Sequence, residues 1–320
     1  MVTEECGKDV VRDAWSPWPY RIALVTTTAT FFLILAGGVV TNTGTGMAVP
    51  DWPTTFGYSM FLYPWPKMVG GILYEHTHRL IASLVGALTL TLAIFLWALE
   101  PRPWVRVLGI AAVGAVVVQG VLGGLRVILA QHGLALVHGG FAHAFFALLA
   151  GLTLVTSPGW CAPVAESVAP PALLRLRRLA VCTTAGLYLQ VLLGTLVTHL
   201  SARLDAHLFV GALVSVAVIL LGFWILPGRA VWPDLVRPAE ILRVLWIVQL
   251  LLGLGAYLAK FQRGDIGLGA GLSLGLSVSH RLAGGLMLIT SLVIVLRIYR
   301  RTVGSDSEAG RWPGSRGVTA

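Results

Sequence analysis

The chain has 320 residues, of which 56% are hydrophobic and only 12% are charged. A soluble domain carries roughly 25% charged residues, so this composition excludes an ordinary soluble protein and indicates an integral membrane protein. The net charge of +9 would suit nucleic-acid binding. The arginines, however, are spread over several loops and the C-terminal tail, so we interpret the charge as a topological signal and expect no nucleic-acid partner.

Eight apolar segments are long enough to cross a membrane, since each reaches the roughly 20 residues that a spanning helix needs. The predicted spans are 20–41, 71–98, 104–127, 135–156, 178–199, 205–226, 241–260 and 273–298. They predict an all-α integral membrane protein with eight transmembrane helices, arranged as two pseudo-symmetric four-helix bundles.

The distribution of lysine and arginine predicts the orientation, because cytoplasmic loops carry an excess of both. One side carries Lys8, Arg12, Arg102, Arg106, Arg175, Arg177, Arg178, Arg229, Arg237, Arg243, Arg300 and Arg301. The other side carries only Lys67, Arg203, Lys260 and Arg263 near the span ends. We therefore predict that both termini are cytoplasmic and that the protein lies in the inner (plasma) membrane. The polar segment 1–19 is predicted to be a cytoplasmic tail, and the first span an uncleaved signal-anchor.

Helix pairs repeat along the chain. The odd-numbered spans contain Leu33-x-x-x-Gly37, Gln119-x-x-x-Gly123, Gln190-x-x-x-Gly194 and Gln249-x-x-x-Gly253. This repeat predicts an N-terminal half at 20–156 and a C-terminal half at 178–298, with a cytoplasmic linker at 157–177 and a tail at 299–320. The glycines have two interpretations: they allow close helix packing, or they leave room for a flat macrocycle.

Four histidines lie a few residues inside the start of each even-numbered span. They are His78, His138, His207 and His280. A lone histidine on an apolar face is usually a hydrogen-bonded core residue, but four at one depth indicate a shared role. Because a heme iron takes two axial ligands and imidazole is a common one, the pattern predicts two bis-histidine heme sites.

Charged neighbours distinguish these histidines. Glu75 precedes His78 by three residues, so both share a helix face, and a carboxylate inside a membrane indicates function. We predict proton transfer by Glu75, with a charge pair to a nearby arginine as the structural alternative. Arg79 and Arg281 follow His78 and His280. They are candidates for binding heme propionates, or for reaching toward lipid headgroups.

The first outer loop, about 42–70, is rich in aromatic residues. Such residues anchor at membrane interfaces, but a loop of this length also suits a lid over a site. The three cysteines, Cys6, Cys161 and Cys182, have no metal-ligand spacing and are predicted to be reduced.

Together these motifs resemble the heme A synthase family over about residues 20–300. The resemblance rests on Glu75-x-x-His78-Arg79, Pro50-Asp51-Trp52-Pro53, His138, His207 and His280-Arg281. It implies an oxidoreductase that oxidises a methyl group of heme O to a formyl group, giving heme A for terminal cytochrome oxidases. Many members carry a cysteine pair in the first outer loop, which this chain lacks, so we predict a cysteine-free subtype.

The resemblance also implies how the two halves are used. The N-terminal half would hold the substrate heme O at His78 and His138, with Glu75 as the catalytic carboxylate. The C-terminal half would hold a heme B cofactor at His207 and His280, which passes electrons. The partners implied are membrane lipid, heme O synthase, cytochrome oxidase assembly factors and a second copy of the chain.

Two other functions fit four histidines in a membrane protein. One is a diheme b-type cytochrome that oxidises quinol and holds two permanent hemes B. The other is a heme transporter or chaperone, in which Glu75 beside His78 would have no chemical purpose.

Overall fold

The computed structural model describes residues 16–160, 170–261 and 269–309, with side chains described except at 132, 170 and 302–309. Within these ranges the chain folds into eight long α-helices, all long and apolar enough to cross a membrane. They are α1 (Pro17–Asn42), α2 (Gly71–Leu99), α3 (Pro103–Ile128), α4 (His132–Val155), α5 (Pro170–Leu200), α6 (Leu204–Ile225), α7 (Pro233–Phe261) and α8 (Ala270–Ala309). The predicted all-α, multi-pass membrane fold is confirmed.

The helices form because a bilayer offers the backbone no hydrogen-bond partners, so each apolar segment must bond its own N–H and C=O groups. Each odd-numbered helix begins at a proline, which lacks an N–H and fits the first turn of a helix. We call the end where these four helices begin the inner end, and the opposite end the outer end. The inner end carries most of the arginines and is the side predicted to be cytoplasmic.

Some helices are longer than the predicted spans. Helix α5 begins at Pro170 and α7 at Pro233, each eight residues before the predicted 178 and 241. These extensions carry arginines and acidic residues, which mark the edge of the hydrocarbon layer but do not end a helix. Cys6, Cys161 and most of the predicted linker lie outside the described residues, whereas Cys182 is an exposed free thiol.

Helices α1 to α4 pack in a ring, in which each contacts the next and α4 closes back on α1. Helices α5 to α8 pack in a second ring, and α1 and α4 contact α8 while α4 also contacts α5. Each ring has its own apolar core, represented by Leu92 and Leu149 in the first and by Leu221 and Ile294 in the second. Both cores fill the inner part of their rings. The outer part holds the glycines and histidines instead.

Buried ion pairs fasten the inner end. Arg102 binds Glu100 through two contacts, Nε–Oε1 at 2.6 Å and Nη2–Oε2 at 2.9 Å, and also donates to the Val155 carbonyl of α4. In the second ring Arg301 of α8 pairs with Asp234 of α7. The helix ends are therefore fixed on the side away from the histidines.

Candidate functional site

Each of the four predicted ligand histidines packs against the glycine of the preceding helix. A Cβ added to that glycine would meet the imidazole Cε1 atom, and Nδ1 is the next nearest ring atom. The pairs are Gly37 with His78 (3.1 Å), Gly123 with His138 (3.2 Å), Gly194 with His207 (3.5 Å) and Gly253 with His280 (2.9 Å). The same contact therefore recurs in all four helix hairpins.

This contact gives the glycines a more specific role than either sequence interpretation. A side chain is absent at these positions because an imidazole from the next helix occupies the space. The glycines thus allow close packing, but the group that packs against the helix backbone is an imidazole ring rather than another helix backbone. They set the orientation of the four histidines.

The repeated glutamines also contact the histidines. Gln119 Nε2 donates to the His138 carbonyl at 2.9 Å, and Gln190 Nε2 donates to the His207 carbonyl at 3.0 Å. The third, Gln249, differs because its Nε2 lies 3.5 Å from the imidazole Nε2 of His280. Two glutamines therefore fix the backbone of a histidine, and one approaches the ring.

The histidines meet in the predicted pairs. The rings of His207 and His280 lie 6.3 Å apart between centroids, at 74° to each other. Because a metal–imidazole bond is about 2 Å long, rings at this separation would leave room for one iron atom between His207 and His280. His78 and His138 likewise lie within electrostatic range of each other.

The surroundings of these rings also fit metal ligands. The Nδ1 atoms of all four are buried with no hydrogen-bond partner among the described residues, and each ring is only partly buried. Burying a ring nitrogen without a partner is costly, so these four rings are candidates for binding a group that the protein itself does not provide. Across the described ranges no three His, Cys, Asp or Glu side chains form a site for a bare metal ion. Two-ligand heme sites thus suit these residues better.

Glu75 is the buried acidic group of the N-terminal site. Only 3% of this residue is exposed. Its Oε1 accepts from Arg79 Nη2 at 2.7 Å, and its Oε2 accepts from the Val49 N–H at 2.9 Å. Each carboxylate oxygen therefore has a hydrogen-bond donor within the protein. The charge pair with arginine exists, while the catalytic role of Glu75 stays a prediction.

Arg79 fastens the first outer loop to α2. Its Nη1 donates to the carbonyls of Asp51 (2.7 Å) and Thr54 (3.1 Å), and its Nη2 donates to the carbonyl of Val49 (2.8 Å) as well as to Glu75. Four donor positions of the guanidinium are thereby used. The structure thus gives Arg79 partners within the protein, rather than free donors for a propionate.

The loop of residues 43–70 packs over Glu75 on one side and exposes aromatic and apolar side chains on the other. Within the loop, Val49 and Tyr63 are buried, whereas Phe61, Leu62 and Trp65 are 69–77% exposed. The Trp52 indole lies against Gly124 of α3, where a Cβ would overlap it. The exposed side chains are consistent with an anchor at a membrane interface and the packing over Glu75 with a lid, and both stay predictions.

A tight turn shapes the loop around Asp51. The Asp51 carboxylate accepts from Thr54 Oγ1 (2.5 Å), Phe56 N (2.7 Å) and Gly57 N (2.9 Å). Partial burial raises the pKa of Asp51, but the hydrogen bonds from Gly57, Thr54 and Phe56 outweigh it, so the pKa is lower than its ordinary value. Asp51 of the Pro50–Pro53 motif thus organises the turn that follows it.

Two other histidines have structural contacts. His76 is buried, with Nδ1 3.1 Å from Thr55 Oγ1 and its ring 5.2 Å from that of Tyr63. His143 is buried where α4 meets α8, with Nδ1 2.9 Å from the Gly139 carbonyl and its ring against Gly285. His76 supports the lid, and His143 supports the contact between the rings.

Arg126 is a site residue that the sequence analysis missed. It lies in the last turn of α3, three residues after Gly123. Its guanidinium packs against Gly46 of the loop and lies within electrostatic range of Glu75, His78 and His138. A single arginine in an otherwise apolar outer turn was the available signal.

Arg281 lies next to His280 on α8 and is partly buried, and its role in binding a propionate stays a prediction. It lies within electrostatic range of His280 and of Arg126. None of the four ion pairs among the described residues involves Arg126 or Arg281.

No protein-family model matches the chain. Six curated proteins to which the chain is similar are all named heme A synthase. One from Shouchella clausii is 35% identical over 136 residues, which is 42% of this chain and 44% of that protein. Another from Geobacillus kaustophilus is 29% identical over 185 residues, 57% of this chain and 56% of that protein.

A third relative, from Symbiobacterium thermophilum, is 30% identical over 194 residues, 57% of this chain and 60% of that protein. The matched segments thus span about half the length of these curated relatives. They confirm the resemblance that the motifs predicted: over the matched segments this chain is similar to proteins named heme A synthase.

Proposed function

We propose that the protein oxidises a methyl group of heme O to a formyl group, making heme A for terminal cytochrome oxidases. The observation that carries the proposal is the position of Glu75. It lies one turn before the ligand candidate His78, beneath a loop that is hydrogen-bonded to it. The names of the relatives support the same activity.

The reaction defines what the site must handle. A methyl group and one water give a formyl group, four protons and four electrons. A site for this chemistry needs a group that accepts protons beside the methyl carbon and a route for electrons. We assign proton acceptance to the first ring of helices and electron transfer to the second.

The N-terminal site would bind the substrate. His78 and His138 would hold the iron of heme O, so the porphyrin would lie in the outer part of the first ring of helices. Glu75 would then face the edge of the porphyrin and accept protons as the methyl group is oxidised. Val49 and Arg79 hold the carboxylate oxygens in place, so the base is oriented before the substrate arrives.

The C-terminal site would bind the cofactor. His207 and His280 would hold heme B, which supplies one-electron transfer when bound. No carboxylate stands at the position three residues before either histidine, where the chain has Leu204 and Ser277. These residues would therefore bind a heme without altering it.

The loop of residues 43–70 would exclude lipid and limit water at the reaction site. By the lysine and arginine bias, this site faces the outer side of the inner (plasma) membrane, with both termini cytoplasmic. Heme O synthase would supply the substrate, and oxidase assembly factors would receive the product. Membrane lipid and a second copy of the chain are the remaining partners proposed.

Heme analysis tests the activity. The full chain is expressed with a heme O synthase and purified, and its hemes are extracted and identified by mass. We expect heme B together with heme A or its hydroxylated precursor. A folded, heme-loaded protein that yields only unmodified hemes would contradict the proposal. Two hemes B per chain would indicate the diheme cytochrome instead.

A further inference from the structure

The His-Arg sequence occurs on both α2 and α8, which suggests that Arg79 and Arg281 have the same task. The contacts of Arg79 argue otherwise. Its Nη1 and Nη2 atoms are used by three loop carbonyls and by Glu75. Releasing them would detach the loop and leave a buried carboxylate without its partner, which is strongly unfavourable. The N-terminal site therefore needs another cation if it binds an acidic ligand.

Arg126 has the properties that Arg79 lacks. Its guanidinium reaches toward the site, where it packs on Gly46 with Cζ 3.0 Å and Nη1 3.1 Å from the place of an added Cβ. Glu75 lies within electrostatic range of Arg126 but is paired with Arg79 instead. Among the described residues Arg126 has no hydrogen-bond or ion-pair partner.

Arg281 adds to the positive charge. It lies within electrostatic range of Arg126 and forms none of the ion pairs among the described residues. Both lie in helices that are apolar enough to span a membrane, where two guanidinium groups within electrostatic range repel each other and are costly to desolvate. An anionic ligand beside them would reduce both costs.

We propose that Arg126 binds a propionate carboxylate of the substrate heme in the N-terminal site, an inference that rests on the proposed function. A guanidinium matches a carboxylate with two parallel N–H···O bonds, which a lysine cannot reproduce. Arg126 also follows Gly123, which backs His138, by less than one helical turn. The propionate and the iron are thus bound from the same helix pair.

This contact would position the substrate. Two axial histidines fix the iron and the plane of the ring, but they leave the ring free to rotate about the axis between them. A carboxylate held by Arg126 removes that freedom and determines which edge of the ring faces Glu75. Arg126 is therefore a positioning residue that selects the methyl group.

Binding of two porphyrins tests the role of Arg126. Purified protein that retains its resident heme is titrated with iron protoporphyrin and with its dimethyl ester, which lacks the carboxylates. For Arg126→Gln we expect at least about tenfold weaker binding of the diacid, as for loss of a charge-assisted hydrogen bond. The ester should bind the variant and the unmodified protein equally. Arg126→Lys should recover only part of the loss.

Two further variants serve as controls. Arg243→Gln removes an exposed arginine at the inner end and should bind both porphyrins normally. Gly46→Ala keeps the charge of Arg126 but displaces its flexible end, so it should weaken diacid binding in the same direction and by less. His78→Ala should abolish the added binding and so assign it to the N-terminal site.

The outcomes separate this inference from the proposed function. If the unmodified protein binds no added porphyrin at His78, the proposed function fails and this inference fails with it. If binding occurs but Arg126→Gln leaves diacid affinity unchanged, only the inference is overturned. Equal losses for diacid and ester would also overturn it, since the carboxylate would then have no part in the effect.

Discussion

The outer parts of the two helix rings share one architecture and differ in what is added to it. In both, a glycine of one helix packs against a histidine of the next, and the two histidines of each ring lie within electrostatic range of each other. The first ring adds Glu75, Arg126 and the long loop between α1 and α2. In the second ring α5 and α6 are joined by residues 201–203 alone. Under the proposed function, the glycine–histidine contacts common to both rings would bind heme, and the additions in the first ring would supply the chemistry.

The largest effect should follow from removing the carboxylate that distinguishes the rings. Glu75→Gln keeps the size of the side chain and one acceptor oxygen but not the base, so conversion of heme O should fall at least about 100-fold. Retained heme B should be unchanged. The measurement is the rate of heme A formation together with the heme content.

The matched control for Glu75 is Ser277→Ala, the same position relative to His280 on α8. It should leave the rate within about twofold, because the C-terminal ring has no base to lose. Normal turnover in Glu75→Gln would remove this residue from the mechanism. A large loss in Ser277→Ala would mean that the two rings are not divided as proposed.

The glycine contacts predict a graded series of effects. A Cβ at position 253 would meet His280 at 2.9 Å, whereas a Cβ at position 194 would meet His207 at an ordinary 3.5 Å. Gly253→Ala should therefore displace its histidine and speed heme loss on the order of tenfold. Gly194→Ala should be tolerated.

Gly194 and Gly253 contact the two histidines that are predicted to bind the same heme. Gly194→Ala is therefore the matched control for Gly253→Ala. The measurement is the rate of heme transfer to an acceptor protein, with the visible spectrum reporting the ligands. Equal behaviour of the two alanine variants would show that the glycine contact does not orient the ligand.

A smaller effect is expected for the attachment of the lid. Arg79→Lys keeps the positive charge beside Glu75 but loses the fork that binds the carbonyls of Val49, Asp51 and Thr54. The loop of residues 43–70 should become several-fold more sensitive to limited proteolysis, while heme in the C-terminal ring is retained. A loop as resistant as in the unmodified protein would show that Arg79 does not hold it.

The smallest expected effect is on how the turn around Asp51 responds to low pH. The lowered pKa of Asp51 means that its hydrogen bonds stabilise the loop above the usual carboxyl pKa and are lost only as pH falls through the lowered value. Hydrogen exchange at Phe56 and Gly57 should therefore stay slow from neutral pH to about pH 4. Asp51→Asn should exchange faster at neutral pH and show a weaker dependence on pH. Identical exchange in both proteins would exclude this role of Asp51.

Much of the architecture could be predicted from local patterns. Spans and histidine positions follow from hydropathy and from the repeat of Gly37, Gly123, Gly194 and Gly253, because both depend on helix periodicity alone. The contacts of these glycines could not be predicted, since they depend on which helices are neighbours. The spans predicted from hydropathy for α5 and α7 were too short, because hydropathy detects the segment inside the hydrocarbon layer rather than the whole helix.

The roles of the arginines show where sequence reasoning ends. Adjacency in sequence suggested that Arg79 and Arg281 act alike, but a loop some 25 to 30 residues away in sequence takes the donors of Arg79. The role of Arg126 could not be predicted because its neighbours, Gly46 and Glu75, are brought to it by tertiary packing. Long-range contacts of this kind leave no local pattern in the chain.

The division between the rings has one most direct test. Hemes are extracted from the unmodified protein and from two double variants, His78→Ala/His138→Ala and His207→Ala/His280→Ala, each expressed with a heme O synthase. Our account predicts that the first variant retains heme B and contains no heme O or heme A, and that the second lacks heme B. Loss of heme B from the first variant, with its retention in the second, would contradict the assignment of substrate and cofactor to the two rings.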